Sequence, residues 1–237
     1  MTDLPAHTLS SFDEDLDRLR ALVVRMGRLC EAQIIAAADA LARHDAAAAR
    51  IIVDGDAAID ALEAETEAFA IQTIALRAPM AGDLREIVAA LKISGILERI
   101  GDYAKNIAKR TTVLAKDAPM EPMVLVPEMA RMVAQMVGGA IDAFIARDAE
   151  RAAAIAERDQ VIDDFYTSLF RSLLTFMMEN PQRITPSAHL LFIAKSLERV
   201  GDHATNIAEL VSYSATGERM GERTKRDDTA MVTSPQG

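Results

Sequence analysis

The sequence predicts an all-α protein built from two tandem homologous three-helix bundles with six long helices. Only 11 glycines and 8 prolines occur among 237 residues, too few for a chain of many short strands and turns. Apolar residues recur at helical spacing through six long segments, and no strand pattern lies between them. A twelve-residue element also occurs twice, which predicts that the second half of the chain repeats the first.

Three long helices are predicted in the first half. Ser10 or Ser11 can cap the first helix, and Glu14 stands where it completes a capping box with Ser11. Pro79 ends the second helix, because a proline disfavours the helical conformation in the residue before it. Pro119 follows the third helix in the same way. The predicted helices run from about Ser11 to His44, from Ala46 to Arg77 and from Asp83 to Lys116.

The second half shows three helices in the same order. Pro127 is placed to start the first of them, since proline is tolerated in the first turn of a helix. Pro181 ends the second. We expect a first repeat at residues 10–118, a second at 119–216 and a disordered polar tail at 217–237. The predicted helices run from about Pro127 to Arg147, from Ala149 to Glu179 and from Pro186 to Thr216.

The duplicated element gives the strongest signal in the chain. Residues 97–108 and 197–208 are identical at nine of twelve positions, at a constant offset of 100. Upstream the offset is 103, so that Asp45 pairs with Asp148 and Asp56 with Asp159. Similar composition alone explains matched alanines and leucines, but not matched Glu, Arg, Gly, Asp and Asn in one order. The match therefore predicts two homologous units that divide near residue 119.

The charge and the cysteine content of the chain limit the classes of function and the cellular location that we expect. The chain has 26 basic and 36 acidic residues and a net charge of −10, which argues against a nucleic-acid partner. Cys30 is the single cysteine, lies in an apolar helical stretch and is expected to be a buried core residue. The acidic N-terminus has neither the basic start nor the apolar block of a secretory signal. We therefore expect a cytoplasmic protein.

Both halves carry pairs of carboxylates one helical turn apart. On a helical wheel Glu98 and Asp102 fall opposite the apolar stripe that includes Ile100, so we expect them to face solvent. Two carboxylates in this relation repel each other by about 0.2–0.5 kcal/mol, and their repetition calls for an explanation. The four pairs are Asp56 with Asp60, Glu98 with Asp102, Asp159 with Asp163, and Glu198 with Asp202.

These carboxylates predict a metal site in each half. The Cβ atoms of such a pair lie about 5–6 Å apart, close enough to share a cation. Oxygen ligands favour magnesium, manganese, calcium or ferric iron over structural zinc, and the identity of the divalent or trivalent metal stays open. The alternative is a solvated acidic face with ion pairs from Arg99 to Asp102 and from Arg199 to Asp202.

Two glycines repeat inside the predicted third and sixth helices. Gly101 and Gly201 each cost about 1 kcal/mol relative to alanine in a helix interior. Their repetition predicts the close approach of another helix, with the close approach of a ligand as the alternative.

An enzyme with a carboxylate-bridged di-metal centre, or a metal-storage protein, is the functional alternative. Such sites need inward-facing carboxylates and a Glu-x-x-His pair on facing helices. No glutamate in the sequence is followed three residues later by a histidine. A phosphate-binding glycine-rich loop and a dinucleotide fingerprint are absent as well. The residues therefore favour a non-enzymatic interaction protein.

The doubled Leu-Glu-Arg-Ile/Val-Gly-Asp-x-Ala-x-Asn-Ile-Ala element resembles the PhoU family, as does the Pro79-x-Ala81-x-Asp83-Leu84-Arg85 segment before its first copy. The resemblance covers about residues 10–215. It implies two similar three-helix bundles side by side, in agreement with the fold predicted from the residues. Family members regulate phosphate uptake and the phosphate-starvation response in bacteria.

The resemblance also implies a role. It implies a non-enzymatic adaptor at the cytoplasmic membrane surface, between the ATPase subunit of the phosphate ABC transporter and the phosphate sensor histidine kinase, that represses the response when phosphate is plentiful. It further implies a homodimer, and metal (magnesium, manganese, iron or zinc) on the acidic motifs. Those motifs correspond here to Glu98, Asp102, Glu198, Asp202, Asp56, Asp60, Asp159 and Asp163.

Overall fold

The computed structural model describes residues 4–220, and this part of the chain contains helices and no strand. Eight α-helices follow one another, with two short 3₁₀ helices before the fifth and the eighth. The α-helices are α1 (Leu4–Ala42), α2 (Ala46–Gly55), α3 (Ala57–Arg77), α4 (Ala81–Leu114), α5 (Val126–Ala146), α6 (Ala149–Glu157), α7 (Asp159–Glu179) and α8 (Ile184–Thr216); the 3₁₀ helices are Glu121–Leu125 and Pro181–Arg183.

The six predicted helices are present, which confirms the all-α class. The second and the fifth are each divided, at Asp56 and at Arg158. Asp56 keeps right-handed helical angles of φ −60° and ψ −35°, and Arg158 keeps φ −70° and ψ −17°. Each division is therefore a local break, and α2 with α3, like α6 with α7, serves as one middle element of its bundle.

The start of the first helix was predicted wrongly. α1 begins at Leu4, so Ser11 lies inside the helix and no capping box starts there. Pro5 falls in the first turn, where its missing N–H removes no intrahelical hydrogen bond, so the chain can begin its helix earlier. At the other end Gly217 adopts the left-handed conformation, with φ 79°, and donates its N–H to Tyr213 O at 2.8 Å. Residues 221–237 of the predicted tail lie outside the described residues.

Four long helices form the centre of the molecule. α1 and α4 of the first half pack against α5 and α8 of the second, with α1 on α5 and α4 on α8. The pair α2–α3 packs on α1 and α4, and the pair α6–α7 packs in the same way on α5 and α8. The two bundles thus lie side by side, each with its divided helix on the outside.

α4 and α8 run antiparallel along the interface between the halves. Tyr103 stacks on His203, whereas Arg110, further along α4, meets His189 near the beginning of α8. At the other end of α4, Arg85 lies beside Gly217. Equivalent segments therefore cross near residues 103 and 203, as an approximate two-fold axis requires.

The core follows the predicted apolar stripes. The central residues of α4 and α8, including Ile100 and Val200, have no solvent-exposed surface. Cys30 is fully buried as predicted, and its Sγ donates to Leu97 O at 3.2 Å. Burial, with a smaller effect of the Asp56 charge, raises the pKa of the Cys30 thiol to about 12.

The corners after α1 and α5 show that the repeat extends to backbone detail. His44 and Arg147 occupy equivalent positions and both adopt the left-handed conformation, with φ 53° and 52°. The next residues, Asp45 and Asp148, cap α2 and α6 by accepting backbone N–H groups. The same sequence signal thus ends and restarts the helix in both halves.

One stretch, Glu121–Ala146, is long and apolar enough to cross a membrane by length and composition. Within it, 61% of the most apolar window is buried inside the protein. Packing of α5 against α1 and α8 accounts for this hydropathy, as is typical of a central helix in a bundle.

Candidate functional site

The first acidic cluster forms where the break between α2 and α3 lies on α4. Asp56 is 3% exposed and faces Gly101, which has no side chain to hold the helices apart. A Cβ at residue 101 would lie 2.8 Å from Ile59 Cδ1 and 3.4 Å from Asp56 Oδ1. The predicted close helix approach at this glycine is therefore confirmed, and it places Asp56 beside the acidic turn of α4.

The second cluster repeats this construction in the other half. Asp159 is 8% exposed and faces Gly201 of α8. A Cβ at residue 201 would lie 3.3 Å from Ile162 Cγ2 and 3.4 Å from Asp159 Oδ1. The contact is less tight than at Gly101, but it has the same members in the same order. The repeated glycines thus bring a buried aspartate to each carboxylate pair.

The expectation that the acidic pairs face solvent, derived from the helical wheel for Glu98 and Asp102, does not hold for every carboxylate of the clusters. Asp56 and Asp159 are buried, and the Glu198 side chain is only 12% exposed, whereas Asp60 is exposed and the Asp102 side chain is 50% exposed. The reason is that α2–α3 and α6–α7 pack over the faces of α4 and α8 that a single-helix wheel assigns to solvent. The acidic rows of adjacent helices therefore face each other.

The pKa of Glu98 records this crowding in the first cluster. Burial raises that pKa first, and the charges of Asp102, Asp60, Glu63 and Asp56 raise it further, in that order. The four carboxylates predicted from the sequence are therefore close enough to interact. Glu63, one turn after Asp60 on α3, belongs to the same group.

Asp163 reports the same crowding in the second cluster. Burial and the charges of Asp159, Glu198 and Asp202 raise its pKa to about 6, and the positive charge of Lys195 opposes them. The structure thus brings the predicted carboxylates together as two clusters of four.

Lysines that the sequence analysis missed lie against both clusters. Lys105 Nζ is 2.5 Å from Asp56 Oδ2 and 3.4 Å from Asp102 Oδ1, which places one ammonium between two carboxylates. Lys195 Nζ is 2.8 Å from Glu198 Oε1. Both lysines stand three residues from an acidic residue on the same helix, and this spacing is the signal that could have identified them.

The two lysines do not occupy equivalent positions. Lys105 corresponds to Thr205 and Lys195 to Gly95. Each half has therefore gained its own counter-charge, while the carboxylates themselves are duplicated. The ion pairs proposed as a structural alternative are not formed, since neither Arg99 nor Arg199 joins an ion pair within residues 4–220.

The clusters fit a metal ion in charge and donor type, but not in arrangement. Their donors are carboxylate oxygens, which hard cations prefer. Among the described residues, however, no group of three or more histidine, cysteine, aspartate or glutamate side chains is arranged so that it could hold a metal ion. In the first half an ammonium ion pairs with two of the carboxylates that a metal would need.

Comparisons with known proteins agree with the duplicated architecture. The family model of the PhoU domain matches the chain twice, at residues 23–111 and 126–211. A relative from Zymomonas mobilis, a phosphate-specific transport system accessory protein PhoU homolog, is 51% identical over 222 residues, which cover 94% of each chain. A Caulobacter vibrioides protein of the same name is 45% identical over 93% of this chain and 97% of its own length.

Solved structures show the same fold. The crystal structure of PhoU from Pseudomonas aeruginosa matches with a TM-score of 0.83 at 36% identity, over 87% of this chain and all of that one. The phosphate transport system regulatory protein PhoU from Streptococcus pneumoniae matches with a TM-score of 0.81 at 29% identity. These relatives are named accessory and regulatory proteins and not enzymes, in agreement with the non-enzymatic prediction.

Proposed function

The chain belongs to the PhoU family, and on this premise we propose that it is an adaptor that couples phosphate transport to phosphate-starvation signalling. Its partners in the proposal are the ATPase subunit of the phosphate ABC transporter and the phosphate sensor histidine kinase. It represses the starvation response while phosphate is plentiful and performs no catalysis of its own.

One observation carries this proposal. The identity to a named accessory protein of the phosphate-specific transport system reaches 51% and extends over 94% of both chains, so it includes both repeats and the interface between them. The structure adds a physical reason for a binding role. Charged clusters lie on the outer side of each bundle, between the divided helix and its neighbour, where a partner protein can reach their exposed members.

The proposal is tested in a strain that lacks the protein. A reporter of a phosphate-starvation promoter is expected to be active in high phosphate in the deletion strain, and silent again when the full chain is returned. A reporter that stays silent in high phosphate without the protein would contradict the repressing role. Loss of the response at low phosphate in the same strain would contradict it as well.

We further propose that each acidic cluster binds a divalent or trivalent metal ion by exchange with its lysine. Crowding of like charges, seen in the raised pKa of Glu98 and of Asp163, supports this proposal because a bound cation relieves it. Lys105 and Lys195 would be displaced from their carboxylates, and the carboxylate side chains would rearrange around the ion, because their present arrangement forms no metal site. The residues that would hold the metal are Asp56, Asp60, Glu98 and Asp102 in one half, and Asp159, Asp163, Glu198 and Asp202 in the other.

Metal binding is tested on the full chain by metal content and by thermal stability. After dialysis against manganese or iron and removal of free ion, the native protein should retain metal and melt at a higher temperature than in chelator. The variant Glu98→Gln, Asp102→Asn, Glu198→Gln, Asp202→Asn should lose both effects. Exchange of the exposed Glu150 and Glu157 for glutamine is the control, and equal metal content in all three proteins would reject the proposal.

We propose finally that the protein is a cytoplasmic homodimer that reaches the membrane through its partners and binds no nucleic acid. The net charge of −10 supports the absence of a nucleic-acid partner.

Light scattering of the purified full chain measures the mass, and a monomer at micromolar concentration would contradict the dimer. Fractionation of cells with and without the transporter measures localisation, and membrane association without the transporter and kinase would contradict recruitment through partners.

A further inference from the structure

A cleft of about 500 Å³ opens where α1 and α5 meet α6. Three arginines line it: Arg28 from α1, Arg151 from α6, and Arg158, the residue that directly follows α6. Volumes of about 300–1,000 Å³ are typical of sites for small molecules. In a chain with a net charge of −10, three guanidinium groups around one cleft call for an explanation.

Among the three arginines, only Arg28 is hydrogen-bonded by carboxylates of the cleft within the described residues. Arg28 is held on both sides, at 3.0 Å from Glu31 Oε2 and 2.6 Å from Asp142 Oδ1. Arg151 reaches Asp142 at 3.7 Å, which is an ion pair too long for a hydrogen bond. The Arg158 side chain has neither an ion pair nor a hydrogen bond within the described residues. Two guanidinium groups therefore keep unused donors.

The two under-used arginines lie on one side of α6. They stand seven residues apart, and because Arg158 at the C-cap keeps right-handed helical angles of φ −70° and ψ −17°, they lie on the same side about 10 Å apart along the helix axis. Gly138 and Gly139 of α5 also line the cleft. The side chains of Glu31 and Ile155 pack against these glycines, since a Cβ would lie 3.0 Å from Glu31 Oε2 at Gly138 and 2.6 Å from Ile155 Cδ1 at Gly139.

The first half of the molecule provides an internal comparison, because it contains the equivalent helices without the two arginines. At the offset of 103, Arg151 corresponds to Ala48, Arg158 to Gly55 and Gly138 to Ile35, which is half-buried. Glu31 corresponds to Ala134. The fold therefore does not require Arg151 and Arg158, which have no basic counterpart in the first half.

We infer that this cleft binds a small phosphorylated anion with more than one phosphoryl group, such as a condensed phosphate or a nucleoside polyphosphate. Guanidinium groups pair with phosphoryl oxygens through two parallel hydrogen bonds, and Arg151 and Arg158 have these donors available. Their separation along α6 suits an anion longer than a single phosphate. Asp142 then stays with Arg28 and holds that arginine in place.

This inference does not depend on the proposed regulatory role, since it concerns binding to the isolated protein. Calorimetric titration of the full chain with pyrophosphate and with adenosine triphosphate, in the presence of chelator, tests it directly. The chelator prevents divalent ions from linking the probe to the acidic clusters. We expect saturable binding of at least one probe, weakened by added salt because the attraction is between charges.

Variants assign the binding to the cleft. Arg151→Ala and Arg158→Ala should each weaken binding about tenfold or more, and the lysine variants should weaken it less because they keep the charge but lose the fork. Arg131→Ala is the matched control, since Arg131 is the counterpart of Arg28 in the other half and, within residues 4–220, pairs only with Glu128. Circular dichroism of each variant confirms that it is folded.

Several results would overturn the inference. Absence of saturable binding to both probes at millimolar concentration would do so, and so would binding that is the same in the Arg151 and Arg158 variants as in the native chain. Equal affinity for citrate would show a general anion site rather than one for phosphoryl groups. Binding that Arg131→Ala abolishes would place the ligand elsewhere.

Discussion

Tyr103 and His203 occupy the same position in the two repeats and stack on each other, with ring centroids 5.6 Å apart and an angle of 28° between the rings. The contact marks the place where α4 and α8 cross on the approximate two-fold axis. Burial and the nearby Arg99 charge lower the pKa of His203, so its imidazole stacks in the neutral form near neutral pH. A pair of equivalent residues thus joins the two bundles directly.

The stack predicts energetic coupling between these rings. Tyr103→Ala and His203→Ala should each lower the free energy of unfolding, and the double variant should lower it by less than the sum, with a coupling of about 0.5–1.5 kcal/mol. Urea unfolding of the four proteins gives this value. Tyr213→Ala, ten residues further along α8 and so about 15 Å away, is the control partner and should be additive with His203→Ala. Additivity of Tyr103 with His203 would contradict the contact.

The glycines of α4 predict opposite effects of one substitution. Gly101→Ala should lower the free energy of unfolding by about 1–3 kcal/mol, because its Cβ would lie 2.8 Å from Ile59. Gly95→Ala should raise it by about 0.5–1 kcal/mol, since its Cβ meets only Glu63 Oε1, at 3.9 Å, and alanine favours the helix. Thermal or urea unfolding distinguishes the two signs. Equal changes in the free energy of unfolding would show that helix propensity, and not the contact with Ile59, determines the effect of the substitution.

Glu86 links the two halves through a buried charge. It is 3% exposed, and its carboxylate lies 2.5 Å from Arg20 of α1 and 3.1 Å from Arg147 of the second half. Glu86→Ala should lower the free energy of unfolding by about 2–3 kcal/mol, because it leaves Arg147 without its carboxylate and leaves Arg20 with only the exposed Asp17. Glu128→Ala, which removes an exposed pair with Arg131, should cost less than about 1 kcal/mol. Similar losses in both variants would refute the special role of Glu86.

The raised pKa of Asp163 predicts a pH-dependent stability in chelator. The folded value of about 6 exceeds the ordinary value of 3.8, so ionisation is less favourable in the folded protein. Below the ordinary value this group imposes no penalty; the penalty grows through the window up to about pH 6 and is complete above it. Asp163→Asn should therefore stabilise the protein at pH 7.5, and the gain should shrink towards pH 4.

Urea unfolding of both proteins at pH 7.5 and pH 4.5 measures this effect. Asp60→Asn, at the equivalent and exposed position of the first half, should change the free energy of unfolding less. A gain for Asp163→Asn that is independent of pH, or a loss at pH 7.5, would disagree with the crowding of the second cluster.

Much of this architecture could be read from local patterns. Several helix ends followed from proline, although the start of α1 and the breaks at Asp56 and Arg158 did not, and the duplication followed from identical residues at fixed offsets. Gly101 indicated a close helix contact, because a glycine destabilises a helix interior and close packing can compensate for that cost. Such signals depend only on residues that are close together in the sequence, so they can be recognised without the structure.

The orientation of the acidic clusters could not be obtained in this way. A helical wheel compares one buried stripe with one exposed face, whereas α4 packs on α1, on α8 and on the α2–α3 pair at once. Asp56 and Glu98 are therefore brought together by a neighbour that the wheel does not contain. Lys105, Glu86 and the arginines of the α1–α5–α6 cleft act across elements distant in sequence, so no local spacing predicts their partners.

The adaptor role is tested most directly by purifying the full chain from cells through an affinity tag in high phosphate. We predict that the transporter ATPase subunit and the sensor histidine kinase are recovered together with it. We further predict that the variant lacking the four carboxylates of α4 and α8 recovers less of both. Recovery of neither partner, with the tagged protein still repressing a starvation promoter, would contradict the account.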